Sequence, residues 1–210
     1  MLIVIDGTAS SGKGTVAKML ANKLGFAYLD TGLLYRCVAY KANKNNFLNN
    51  IDNLVKIANS ITPEDLQNEL LKSDEIAKLA SIVAKEQKVR DALLSLQHSF
   101  AKNPAVDNIK VAGAVLDGRD LGSFVFPNAN YKFFITANLS IRAQRRYKDL
   151  VIKNSNISLL EVEKSLADRD LQDSTRSVAP LQKAKDAIFI DTSNYTPQQV
   201  LDILLSYIKI

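Results

Sequence analysis

The chain has 210 residues, is 47% hydrophobic and carries a formal charge of +5, which suits a single α/β domain with a full core. No apolar run approaches the ~18 residues of a membrane span. Met1 to Ile5 followed by Asp6 is too short and too soon polar for a secretory signal, so a cytoplasmic location without a membrane partner is expected. The one cysteine, Cys37, cannot form an internal disulfide and reads as a small core residue rather than a nucleophile; the lone His98 reads as a surface or boundary residue.

The first strand-like run is Leu2-Ile3-Val4-Ile5, and Gly7-Thr8-Ala9-Ser10-Ser11-Gly12-Lys13-Gly14-Thr15 follows, ahead of a helix-patterned stretch. Strand, glycine-rich loop and helix in that order make a phosphate-binding loop. Its glycines let the chain fold back, and its backbone N–H groups converge at the first turn of the helix. Lys13 is placed to reach the β- and γ-phosphates and the Thr15 hydroxyl to reach a magnesium ion, one residue later than in the strict pattern because Gly14 intervenes. A second strand is expected over Phe26 to Leu29, then a helix start with Thr31, Gly32, Tyr35 and Arg36.

Asn43 to Asn53 is asparagine-rich and reads as a loop, and from Asn50 to about Lys102 the pattern is helical without a clear strand. Within that insertion Thr62-Pro63-Glu64-Asp65 is expected to open a helix. A third strand, Val111 to Leu116, leads into Asp117-Gly118-Arg119-Asp120-Leu121-Gly122. A fourth, Tyr131 to Ile135, is followed by Arg142, Arg145 and Arg146, and a fifth spans Ala187 to Ile190. Ser158 to Glu161 and Thr196 to Gln199 are capping boxes, the second with Pro197 at the first helical position.

Alternating strands and helices imply a parallel sheet, so the expected fold is a three-layer α/β domain over 1–210 with five parallel strands between helices. Ligands of such a sheet bind at the carboxyl ends of its strands, where most of the eight glycines cluster. Lysine outnumbers arginine 19 to 8, which makes each arginine a marked position. Arg36 and Arg119 follow the second and third strands and are placed to hold one phosphate between them. No Asn-Lys-x-Asp guanine signature occurs, so transfer to a small acceptor is favoured over hydrolysis. The charge excess is modest and contains no basic block, which favours small anionic ligands over nucleic acid; a P-loop ATPase acting with nucleic acid stays as an alternative.

Over most of the chain these motifs, taken in order, resemble the bacterial cytidylate kinases among the nucleoside monophosphate kinases. They are Ile5-Asp6-Gly7 with GKGT at 12–15, Leu29-Asp30-Thr31-Gly32 with Tyr35-Arg36, Val89-Arg90-Asp91-Ala92-Leu93, DGRDLGSFVFPNA at 117–129, Arg142 with Arg145-Arg146, and Arg169-Asp170 leading to Arg176-Ser177-Val178-Ala179-Pro180-Leu181. The resemblance implies a monomeric kinase that phosphorylates CMP and dCMP with ATP and Mg²⁺; a different base preference is the nearest alternative.

The same resemblance implies that ATP is held by the loop 7–15 and Arg146, with Mg²⁺ at Thr15 and Lys13, Arg119, Arg142 and Arg176 as catalytic cations. Arg36, Arg119 and Arg176 would bind the CMP phosphate beside Thr31 and Tyr35, and Ser81, Arg90 and Asp120 would read the cytosine. Asp173 with Arg169 would contact the sugar, although their spacing also fits a plain helical ion pair. Residues 48–102 would form the monophosphate-binding insertion and 142–169 the lid, with Arg142 and Arg146 facing ATP. Two departures stand out: Thr62 to Leu79 is shorter than the family's small antiparallel sheet, and Gln172 stands where the family carries an arginine.

Overall fold

The computed structural model describes residues 1–152 and 157–209. Five strands, β1 (Leu2–Gly7), β2 (Ala27–Asp30), β5 (Ala114–Gly118), β6 (Tyr131–Thr136) and β7 (Ile188–Asp191), form one sheet in the order β2-β5-β1-β6-β7, with every neighbouring pair parallel. Each expected strand is present, within a residue or three of its predicted start. Between β2 and β5 lies a short antiparallel hairpin, β3 (Ala105–Val106) and β4 (Ile109–Lys110), which the sequence reading did not anticipate. It turns on Asp107 and Asn108, both at positive φ, as a two-residue hairpin turn demands.

Alternate residues of the strands feed two apolar layers. On one face Val4, Leu29 and Leu116 meet α2 (Thr31–Lys44), α3 (Ile51–Asn59), α4 (Asp74–Val83) and α5 (Gln87–Lys102) through Leu34, Val38, Leu54, Val83 and Leu93. On the other, Ile3, Ile5, Phe133 and Ile135 pack against α1 (Lys13–Leu24) and α8 (Pro197–Tyr207) through Val16, Leu20 and Leu204. The result is the expected three-layer α/β arrangement. Cys37 is buried in α2 and its thiol is pushed up to about 11 by burial, as suits a core residue. His98 is exposed and sits 3.0 Å from the Val125 carbonyl.

The stretch from 51 to 102 is helical, with one correction. Thr62 to Asp65 does not open an α-helix; the Asp65 carboxylate caps the Thr62 N–H at 2.9 Å and only a 3₁₀ turn, Asp65–Gln67, follows. Beyond β6, α6 (Leu139–Ile152) and α7 (Leu159–Thr175) form a helical pair over a small core of Ala9, Ala143, Leu150, Val162 and Leu166. Residues 153–156 of the expected lid lie outside the described residues. Ser158 and Thr196 make the capping boxes of α7 and α8.

Candidate active site at the carboxyl edge of the sheet

The loop between β1 and α1 has the backbone that a phosphate cradle requires. Gly7 runs so close to β6 that a Cβ there would stand 1.8 Å from the Ile135 carbonyl oxygen, and Gly12 takes φ 85° ahead of the helix. The first helical bond runs from the Val16 N–H to the Gly12 carbonyl at 3.1 Å, so the Lys13, Gly14 and Thr15 amides lie ahead of the helix ladder. Lys13 is buried; desolvation and then Arg119 lower its pKa, while Asp117 and Asp30 counter them. Thr15 is exposed on the wall of the adjoining cavity.

The loop is braced from behind by residues far along the chain. The Thr8 hydroxyl lies 3.0 Å from that of Thr136, and the Ala9 N–H donates to the Asp170 carboxylate at 3.2 Å. Arg142 points inward rather than toward a ligand. Its Nε donates to the Ala137 carbonyl (2.8 Å), and its Nη1 donates to the Ala9 carbonyl (3.1 Å) and to Asp170 (2.5 Å). It is buried and lines neither cavity described below, so here Arg142 braces the loop. Arg145 donates to the Thr192 hydroxyl and carbonyl, and Thr192 in turn donates to the Ser11 carbonyl at 2.9 Å.

Two cavities open from this loop. One, about 950 Å³, is walled by Ser11, Gly12, Thr15, Arg145, Lys148 and Tyr195. The other, about 750 Å³, reaches toward α4 and α7 past Thr31, Tyr35, Ser81, Asp120, Arg169 and Asp173. Both have volumes suited to a small ligand. Ser10, Lys13, Gly14, Asp30, Arg36 and Arg146 border both, so the two spaces meet over Lys13.

In the second cavity the charged groups are interlocked. Asp120 accepts from Arg176 Nη2 at 3.1 Å and from Arg90 Nη2, so its two oxygens serve two buried guanidinium groups. Arg90 also lies over the Tyr35 ring, 5.6 Å from its centroid. Ser81 is buried and donates to the Ala77 carbonyl at 3.2 Å. Arg36 donates to the Leu71 carbonyl at 2.7 Å and the Ser73 carbonyl at 3.3 Å.

Asp173 bonds Arg119 Nε at 2.9 Å instead of forming the helical pair with Arg169 that the spacing suggested. Burial raises the Asp173 pKa, but Arg119 and Arg169 outweigh it and hold the carboxyl below its usual range. The Arg169 Nε is buried with no hydrogen-bond partner among the described residues, and burial followed by the charge of Arg119 lowers its pKa to about 10. Asp170 and, for Arg119, Asp117 join Asp173 in offsetting the charge of these two arginines.

Sequence reasoning missed two aspartates. Asp117 ends β5 in a buried position, accepts the Tyr28 hydroxyl at 2.7 Å, and lies 3.5 Å from where a Gly14 Cβ would stand; burial pushes its pKa up. Asp6 accepts the Leu121 and Gly122 N–H groups at 2.9 and 2.7 Å, tying the start of the phosphate loop to the loop that carries Arg119 and Asp120. Burial raises its pKa to about 6 against these two bonds. Asp6→Ala leaves both amides buried without a partner, at ~1–3 kcal/mol each. Urea unfolding should therefore show a loss of ~2–6 kcal/mol, and a loss below ~1 kcal/mol would show that the two loops are joined by other contacts.

A five-stranded parallel sheet with a phosphate loop after its central strand, and two cavities meeting at the loop lysine, defines a P-loop fold of the nucleotide-kinase kind. The chain belongs to the cytidylate kinase family, whose model matches residues 3–210. It is 42% identical over 206 residues to a cytidylate kinase of Rhodospirillum rubrum, covering 98% of this chain and 95% of that one. A cytidylate kinase of Clostridium tetani is 39% identical over 221 residues, covering 100% of this chain and 94% of that protein. The fold resembles that of an uncharacterized protein from Eubacterium ventriosum in its crystal structure, with TM-score 0.52, 14% identity, and coverage of 99% of this chain and 97% of that one.

Proposed function

We propose that the chain transfers the γ-phosphoryl group of ATP to CMP and dCMP. The observation that carries this reading is the junction of the two cavities over Lys13, Arg36 and Arg146. ATP fits the larger space, with its phosphates on the loop amides and Lys13, and the monophosphate fits the second, with its phosphate toward Arg36, Arg119 and Arg176. An acceptor phosphate oxygen then attacks the γ-phosphorus, the bond to the β–γ bridging oxygen breaks, and ADP and the diphosphate leave. Charge on the transferring group calls for fixed cations and excluded water rather than a nucleophilic side chain. Asp120, Arg90 and Ser81 read the base, and Asp173 with Arg169 the sugar.

A divalent cation fits the loop. Mg²⁺ there would be held mainly by phosphate oxygens and water. The exposed Thr15 hydroxyl would contact it, with Asp117 behind Gly14; when bound it would neutralise the β- and γ-phosphate oxygens. Residues 48–102 act as the monophosphate-binding insertion and 142–169 as the lid.

An ADP-release assay with ATP against CMP, dCMP, UMP, AMP and GMP tests the reading. The expected result is fast turnover with CMP and dCMP and slow turnover with the others. Preference for UMP or a purine monophosphate would move the protein to another base, and ATP hydrolysis stimulated by DNA or RNA without any acceptor would overturn the kinase reading.

A further inference from the structure

Arg146, on α6, borders both cavities, and its Nη2 donates to the carboxylate of Asp74. Asp74 is the first residue of α4, the helix that lines the acceptor cavity through Ala77, Ala80 and Ser81. The preceding residues, Leu71 and Ser73, accept from Arg36 on α2. The start of α4 thus gathers one arginine from each side of the cavity junction, and Asp74 supplies the carboxylate there. Resting on the two-substrate reading above, we propose that Asp74 is a positioning residue. It links acceptor binding on α4 to placement of Arg146 over the phosphates of the donor, so that each nucleotide strengthens binding of the other.

The physical basis is direct. Occupancy of the acceptor cavity fixes α4 through the residues that line it, and α4 carries Asp74 with it. The ion pair then holds a long, rotamer-rich arginine in one arrangement, which removes part of the entropy that donor binding must otherwise supply. The pair is only partly exposed, with side-chain exposures of 23% for Arg146 and 44% for Asp74, so it is worth little as static stabilisation; its consequence is in orientation. A coupling between two ligands is reciprocal, which makes it measurable from either side.

The test is calorimetric binding of a non-hydrolysable ATP analogue with and without saturating CMP, in wild type and in Asp74→Asn, together with steady-state kinetics. In wild type CMP should tighten analogue binding by about tenfold, and in Asp74→Asn by less than about twofold. Binding of CMP alone should stay within about twofold of wild type, and KM for ATP at saturating CMP should rise more than kcat falls. Asp74→Glu, which keeps the charge, should restore most of the coupling.

A merely structural role would lower thermal stability and kcat without touching the coupling ratio. Equal coupling in wild type and Asp74→Asn would overturn the proposal, as would a wild type in which the two ligands bind independently. A wild-type protein that phosphorylates no monophosphate would instead remove the functional reading itself.

Discussion

Lys13→Met should lower kcat by ~10² to 10⁴-fold, because it removes a fixed cation from a site that water scarcely enters. Lys13 is 8% exposed and borders both cavities, where the proposed transfer would put the β- and γ-phosphates within its reach. The chain should still fold. Methionine fills a similar volume, and Asp117, deprived of its neighbouring cation, has a pKa already raised by burial and can remain protonated. Steady-state kinetics on a variant with an unchanged circular dichroism spectrum gives the answer, and retention of more than about half the wild-type kcat would place the chemistry elsewhere.

Asp120→Asn should collapse the preference for CMP over UMP. A carboxylate accepts from the exocyclic amino group of cytosine, whereas uracil presents a carbonyl oxygen to it, and a site built on such a bond rejects the wrong ligand by up to ~10⁴-fold. The Asp120 oxygens already accept from Arg90 and Arg176, yet two carboxylate oxygens offer about four acceptor positions, enough to include the base. Asn keeps the shape and one acceptor but turns its NH2 toward one guanidinium group, so folding is checked by circular dichroism; Ala would strand both groups at ~3–5 kcal/mol and confuse unfolding with lost specificity. The measured quantity is the ratio of kcat/KM for CMP to that for UMP. A folded Asp120→Asn protein with the wild-type ratio would show that the base is read by other groups.

The parts of this site legible in the sequence are those written locally. A strand followed by a glycine-rich turn and a helix fixes the phosphate loop, because each step depends on neighbours along the chain. Arg36 and Arg119 could be placed near one another because the strands before them end on the same edge of a parallel sheet.

What the residue pattern could not show is which acid each arginine meets. Asp173 is four residues from Arg169 but bonds Arg119, 54 residues away, and Arg142 turns inward to Asp170 and Ala9. These choices follow from how α6 and α7 lie against the phosphate loop, and no helical period encodes that. Asp6 was legible only as part of the Ile5-Asp6-Gly7 motif; its role depends on two amides more than a hundred residues later. The hairpin at Ala105–Lys110 escaped because its strands are two residues each, too short for an alternation to register.

The position of β1 in the sheet bears on how the protein is made. It is the central strand, yet its partners come late: Met1 bonds Ala112, 111 residues on, and Leu2 bonds Asn130, 128 residues on. During translation at ~5–20 residues per second, Leu2-Ile3-Val4-Ile5 therefore emerges from the ribosome without a sheet to join for roughly 6–25 s. The nascent chain carries an apolar segment with bare edges for that interval. The phosphate loop, which needs β1 paired on both sides, cannot take shape before β6 has emerged, so a ribosome stalled before Thr136 would hold a chain that cannot yet grip a nucleotide.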